Sequence, residues 1–231
     1  MRLAPLAAVL ALLPLAVPAQ EAPLPRTVAV TGEGRSAAKP DLARISLGVG
    51  HQADTAGEAM ALMAGGMEAV LARLTQEGIA AADIRTGQLL LEPAWNYNTP
   101  DGNPVMTGFT ASQIVDVTVR DLGRVGAVLD AVVQDGANRV NGVSFDLADP
   151  QAALDEARRD AVADARARAE LYAEAAGVTL GGLVAIADTA GVAPGPIYDA
   201  RGGAEMAAAV PVAPGEMTLV ATVTMTWTIA E

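Results

Sequence analysis

Residues 84–95, Ile-Arg-Thr-Gly-Gln-Leu-Leu-Leu-Glu-Pro-Ala-Trp, and residues 109–119, Phe-Thr-Ala-Ser-Gln-Ile-Val-Asp-Val-Thr-Val, decide the fold of this chain. In the second stretch Phe109, Ala111, Val115, Val117 and Val119 alternate with polar residues, the period of a strand with one buried face. The residues between, Asn96 to Pro104, are rich in Asn, Pro, Asp and Gly, which set up turns. A strand, a turn-forming loop and a returning strand predict a hairpin. Working outward, each side of the hairpin carries a helix and then a strand. On the N-terminal side, Thr55 with Glu58 forms a capping box, and Met60, Met63, Met67, Val70, Leu71 and Leu74 recur at helical spacing until Gly78. Leu42 to His51 precedes that helix as a strand. On the C-terminal side, Asp121 caps a helix with Leu122, Val125, Leu129 and Val132 on one face, ended by Gly136. Val143, Phe145 and Leu147 then alternate with Ser144 and Asp146 as another strand. From residue 42 to 147 the order is β-α-β-β-α-β, the split βαβ of ferredoxin-like folds. The fold class is therefore α+β, with an antiparallel central sheet and both helices on one face. Gly65-Gly66 lies inside the first helix at about 1 kcal/mol per glycine relative to alanine, which implies close packing there.

Beyond this core, Thr27 to Thr31 reads as a short strand ending at Gly32. Pro150 starts the longest helix, running to about Ala176, with Leu154, Ala157, Ala161, Ala165, Ala169 and Tyr172 as its apolar stripe and Gly177 as its cap. Asp155 with Arg159, Asp164 with Arg168, and Arg166 with Glu170 are spaced to pair along its surface. Leu183 to Ala187 is a strand, residues 190–215 form a Pro/Gly-rich loop, and 216–229 form a final strand. In that strand Met217, Leu219, Ala221, Val223, Met225, Trp227 and Ile229 point one way and mostly threonines the other.

The first residues have the pattern of a secretory signal. Arg2 is followed by an apolar run from Leu6 to Val17 and by Val17-Pro18-Ala19 before Gln20, which predicts cleavage after Ala19 and one domain over residues 20–231. The run is broken by Pro14 and Pro18 and is shorter than the ~20 residues of a spanning helix. Removing it takes away only Arg2 among the charged residues, so the net charge moves from −12 to −13. Such a charge repels nucleic acid and anionic lipid. The chain has no cysteine, which excludes disulfides, thiolate metal sites and cysteine nucleophiles. With two Phe, two Trp and three Tyr, its core rests on small aliphatic side chains and close packing.

No constellation of known chemistry stands out, so the reading assigns no catalytic, cofactor-binding or metal-binding residues. Gly32-Glu33-Gly34-Arg35-Ser36-Ala37 matches a G-x-G-x-x-A dinucleotide pattern, but Lys39-Pro40-Asp41 cannot continue the helix whose amides would hold a pyrophosphate. The segment reads instead as a turn between two strands. His51 is the sole histidine and has no second ligand or nucleophile beside it in sequence, so it reads as a polar residue at a strand end. Ser36, Ser46, Ser112 and Ser144 would all compete for that one base. Asp155, Glu156, Asp160 and Asp164 are interleaved with Arg158, Arg159, Arg166 and Arg168, the pattern of a solvated, mutually neutralised face. Trp95 and Tyr97 flank the hairpin loop as a contact patch or a core edge.

Several stretches together carry a family resemblance: Val30-Thr31-Gly32-Glu33-Gly34, Lys39-Pro40-Asp41-Leu42-Ala43, Asp83-Ile84-Arg85-Thr86 and Gly136-Ala137-Asn138-Arg139-Val140. Ala157-Arg158 through Ala165-Arg166, Ala175-Ala176-Gly177-Val178-Thr179-Leu180-Gly181 and Pro214-Gly215-Glu216 complete it. In this order the chain resembles the SIMPL-domain family of bacterial exported proteins, the periplasmic immunogenic protein type of unknown function. The resemblance implies a periplasmic or envelope location, a link to oxidative-stress tolerance in some members, self-assembly into a homo-oligomer, and no catalytic residues to carry over. Two function classes follow: a non-enzymatic protein acting by self-association or protein binding through edge strands or the hairpin, and a small-ligand carrier or enzyme with a pocket between sheet and long helix.

Overall fold

The computed structural model describes residues 26–100, 102–188 and 213–230; residues 1–19, expected from the sequence to be a signal, and most of the 190–215 stretch expected to be a loop lie outside them. Among the described residues, seven strands and three α-helices follow one another as β1 (Thr27–Ala38), β2 (Leu42–Ala53), α1 (Ala56–Gln76), β3 (Ile84–Asn96), β4 (Val105–Val119), α2 (Val125–Gln134), β5 (Arg139–Asp146), α3 (Gln151–Ala176), β6 (Thr179–Asp188) and β7 (Met217–Ala230). They form two antiparallel sheets, in the orders β3-β4-β2-β5 and β1-β7-β6.

The four-stranded sheet is the expected split βαβ, with the hairpin β3–β4 inserted beside β2. Ala43, Ile45, Leu47 and Val49 of β2 and Ala111, Val115, Val117 and Val119 of β4 are buried at period two. Facing them are Met63, Met67, Val70 and Leu74 of α1 and Val125, Val128, Leu129 and Val132 of α2, so both helices cover one face. The Thr55 hydroxyl accepts from the Glu58 amide, capping α1, and donates to the Glu58 carboxylate, so the expected capping pair meets through its side chains. Asp121 caps a short 3-10 turn, Leu122–Arg124, that leads into α2, so the second helix begins three residues later than its cap suggests. Of the adjacent glycines Gly65 and Gly66 in α1, Gly66 has the close neighbours: a Cβ there would stand 2.9 Å from Val49 Cγ1 and 3.4 Å from His51 Nε2, whereas Gly65 faces open space.

The three-stranded sheet corrects the reading of the N-terminus. The first strand does not stop at Gly32 but runs through Gly32-Glu33-Gly34-Arg35-Ser36 to Ala38, paired along its whole length with β7. The segment is therefore neither a turn nor a phosphate loop. Its glycines admit α3. A Cβ on Gly34 would lie 2.0 Å from Ala157 O and 2.3 Å from Ala161 N, and one on Gly32 would lie 2.2 Å from Ala161 O. Ala157, Ala161, Ala165, Ala169 and Ala173 are the buried stripe of α3, spaced by four, so helix and strand meet almost backbone to backbone. Tyr172 is exposed and Ala173 takes the place expected for it. Gly177 caps the helix in the left-handed region at φ 68°. Val30, Val223, Met225 and Trp227 complete this second core.

Polar bonds fasten the same contact. The Asp164 carboxylate accepts from the Glu33 amide at 2.9 Å, Arg168 donates to the Thr31 carbonyl at 3.1 Å, and Ser36 donates to Glu156 at 2.9 Å. The helix face read as merely solvated thus takes up two backbone groups and one hydroxyl of β1. Asp164–Arg168 and Arg166–Glu170 pair as spaced, but Asp155 pairs with Arg158 and not with Arg159.

Candidate functional site

The side chains that a catalytic reading would need are held apart. His51 pairs with Ala111 on the helix-covered face of the four-stranded sheet. Ser46, Ser112 and Ser144 sit on strand positions of opposite parity, facing away from it, and Ser36 lies in the other sheet. No serine can therefore borrow this imidazole without changing faces. Among the described residues no group of three His, Asp or Glu side chains is placed to hold a metal ion.

The hairpin instead presents apolar surface. Helix α1 lies over β2 and β4, so the edge strand β3 keeps its helix-side leucines in the open. Leu89 and Leu91, opposite Gln113 and Ala111, are 53% and 43% exposed. Towards the turn, Trp95 pairs with Met106 and Asn96 with Val105 after a register shift. Trp95, Tyr97, Val105 and Met106 are all exposed there, whereas Phe109 packs against the core. The patch thus comprises Trp95 and Tyr97 but excludes Phe109. Single exposed leucines are ordinary on a protein surface, whereas several large apolar side chains along one hairpin are the kind of surface that association can cover.

The opposite face of the four-stranded sheet is polar. A hollow of about 540 Å³ there is lined by Arg44, Ser46, Arg85, Asp116, Thr118 and Ser144, among others. Arg44 bonds Asp146 at 2.9 Å and Arg85 bonds Asp116 at 3.0 Å. A bulge between Ser46 and Leu47 leaves Asn141 as the extra residue on β5 at the rim. A small groove beside the long helix, about 170 Å³, opens between α3 and strands β6 and β7 of the three-stranded sheet. Asn138 fixes the start of β5: its side chain accepts from the Gly50 amide and donates to the Gly50 carbonyl, both at 2.8 Å.

Two carboxylates carry shifted acidities. Hydrogen bonds from Arg120, at 3.0 and 2.7 Å, hold the Asp83 carboxyl below its usual range against a smaller opposing effect of burial. The hydrogen bond from Arg73 does the same for Asp135, tying α1 to the end of α2. A carboxyl whose folded pKa is depressed adds stability above its unfolded pKa and loses it as pH falls through the folded value. The fold should therefore weaken below the ordinary carboxylate range. Asp83→Asn and Asp135→Asn should lower the melting temperature at neutral pH and flatten that acid limb. Variants whose melting temperatures run parallel to wild type from neutral to acid pH would show that these pairs are uncoupled from folding.

Comparison with known proteins places this architecture. The family model SIMPL, described as protein of unknown function, matches residues 28–227, from β1 to β7. The chain belongs to the SIMPL family. Its relatives include the 26 kDa periplasmic immunogenic protein of Brucella melitensis, 39% identical over 201 residues, covering 83% of this chain and 80% of the relative. The uncharacterized protein YggE of Edwardsiella ictaluri is 29% identical over 170 residues, 74% of this chain and 71% of its own. YggE of Escherichia coli strain K12 is 29% identical over 160 residues, 69% and 64% of the two chains. The SIMPL match spans both sheets, so the β1–α3–β7 unit is as much part of the family as the split βαβ core.

Proposed function

We propose that this SIMPL protein is an exported, non-enzymatic envelope protein that acts by associating with protein surfaces, those of its own copies included. The observation that carries this reading is the exposed apolar row of the β3–β4 hairpin on a chain whose only imidazole faces away from Ser46, Ser112 and Ser144 of the same sheet. A periplasmic location is supported by the signal pattern before Gln20 and by the name of the Brucella relatives. Among the described residues no helix is long and apolar enough to cross a membrane. A part in oxidative-stress tolerance rests on the family resemblance alone. The small-ligand alternative draws on the polar hollow of the open sheet face, away from the long helix.

The test is native mass and light scattering on residues 20–231 at micromolar concentration. Wild type should be an oligomer. Trp95→Glu with Tyr97→Glu should shrink it while circular dichroism stays unchanged, because both side chains are exposed. Phe109 is a poor partner for Trp95 in such a variant, since charging it would disturb the core. A monomeric wild type would end the self-association reading.

A further inference from the structure

The face of the four-stranded sheet turned away from the helices carries polar groups with nothing in the protein to bond. Ser46, Thr118 and Ser144 line the hollow on that face and make no side-chain hydrogen bond among the described residues. Beyond the hollow, Ser112 is 6% exposed, and its hydroxyl, still open to solvent, has no partner either. The hydroxyl of so buried a residue is ordinarily bonded.

Charge on this face is also unevenly matched. Of the described arginines borne on strands, Arg35, Arg44 and Arg85 pair with Glu33, Asp146 and Asp116. Arg139 pairs with no carboxylate among the described residues, although the chain has 27 acidic and 15 basic side chains. Its guanidinium lies over Gly50: a Cβ there would stand 2.5 Å from Arg139 Nε and 3.0 Å from Arg139 Cζ. Gly50 is the cross-strand partner of Ser112, so the unpaired guanidinium and the buried hydroxyl share one spot on the sheet. The carboxylates of the hollow are already engaged, Asp83 by Arg120 through both oxygens and Asp116 by Arg85. The face therefore has donors to spare and one cation left over. Glu92, opposite Thr110 on the same face, and the net charge of −12 turn away ligands of higher negative charge.

We infer that Arg139 and Ser112 bind the carboxylate of a small polyhydroxylated acid whose chain runs along β2 to Ser46 and the hollow. A guanidinium grips a planar carboxylate through two parallel N–H bonds, and the Ser112 hydroxyl donates a third. Ser46 stands four residues before Gly50 on the same face, about 13 Å away at the rise of a strand, a span that an extended six-carbon chain covers with a hydrogen bond at each end. Between them on that face β2 has only Gly48, so no side chain of the strand blocks the way. The hydroxyls of Ser46, Ser144 and Thr118 then meet hydroxyls of the ligand. This site goes beyond the association reading and does not depend on it.

The experiment is calorimetric titration of residues 20–231 with gluconate, a monocarboxylate on a polyhydroxyl chain, beside acetate, which has the carboxylate alone, and sorbitol, which has the chain alone. Gluconate should bind with a millimolar dissociation constant, and acetate and sorbitol at least about tenfold more weakly. Arg139→Gln should weaken gluconate about tenfold by removing the charge-assisted bonds, and Ser112→Ala by a smaller factor. Arg159→Gln removes the same charge from an exposed position on α3 and should leave the affinity within a factor of about two. If Arg139→Gln unfolds, Arg139→Lys takes its place, keeping the charge without the two-pronged donor, and should also weaken gluconate. No binding of gluconate at tens of millimolar, or wild-type affinity in the folded Arg139 variant, would overturn the site. Acetate or sorbitol binding as tightly as gluconate would overturn the assignment of the ligand. Native mass is read separately, so a monomeric chain that binds gluconate ends the association reading and leaves this site standing.

Discussion

Gly34→Ala is expected to cost the β1–β7–β6 sheet about 3 kcal/mol, the upper end of what overpacking does, from a single added methyl group. The cause is the identity of the atoms in the way. The new Cβ would stand 2.0 Å from a carbonyl oxygen and 2.3 Å from an amide nitrogen of α3, and neither can swing aside as a side chain does. Relief requires lifting the helix. That movement would break the Asp164–Glu33 and Ser36–Glu156 hydrogen bonds and open Ala157 and Ala161 to water. Gly182→Ala is the matched control, since nothing lies within 4 Å of its added Cβ. Chemical denaturation measures the loss, and amide hydrogen exchange locates it: protection should fall first in β1, β7 and α3. Gly34→Ala with wild-type stability would show that helix and strand are not in this contact.

Leu47→Ala should be similarly damaging, by about 3 kcal/mol within the 2–5 that large-to-small core changes cost, but in the other core. Leu47 is fully buried at the centre of β2, between Val115 of β4 and Val140 of β5, under α1 and α2. Strands on both sides and helices above leave little freedom for collapse into the cavity. Leu89→Ala, exposed on β3, should stay within about 0.5 kcal/mol of wild type. Exchange should weaken first in β2, β4 and α1 for Leu47→Ala. The two substitutions together examine residues 20–231 as one domain. Equal loss of protection across both sheets in each variant supports one cooperative body; loss confined to the mutated core opposes it.

The split βαβ was legible because every element in it advertises itself locally. Thr55 with Glu58 and the methionine stripe mark α1, the alternation from Ala111 to Val119 marks β4, and Gly136 marks the end of α2. The misread positions are those where a remote partner decides. Gly32 and Gly34 look like turn or loop residues until α3 is laid across them, and Tyr172 looks like core until Ala173 is seen to face the strand. Glu156, Asp164 and Arg168 carry the composition of a wet helix face, yet they bond β1 across more than a hundred residues of sequence. A spacing rule reports neighbours along one helix and has no access to such contacts.

By itself, then, the sequence determined the α+β class, the order of elements from Leu42 to Asp146, the lack of cysteine chemistry and the family resemblance. Each of these rests on short-range pattern, capping or composition, which the chain carries wherever it goes. The tertiary structure alone decided that β1, β6 and β7 make a second sheet under α3, that His51 and the serines face apart, and that the hairpin is left uncovered. Pairing, facing and exposure are relations between segments far apart in the chain, set by which apolar faces bury one another once all the elements compete for cover.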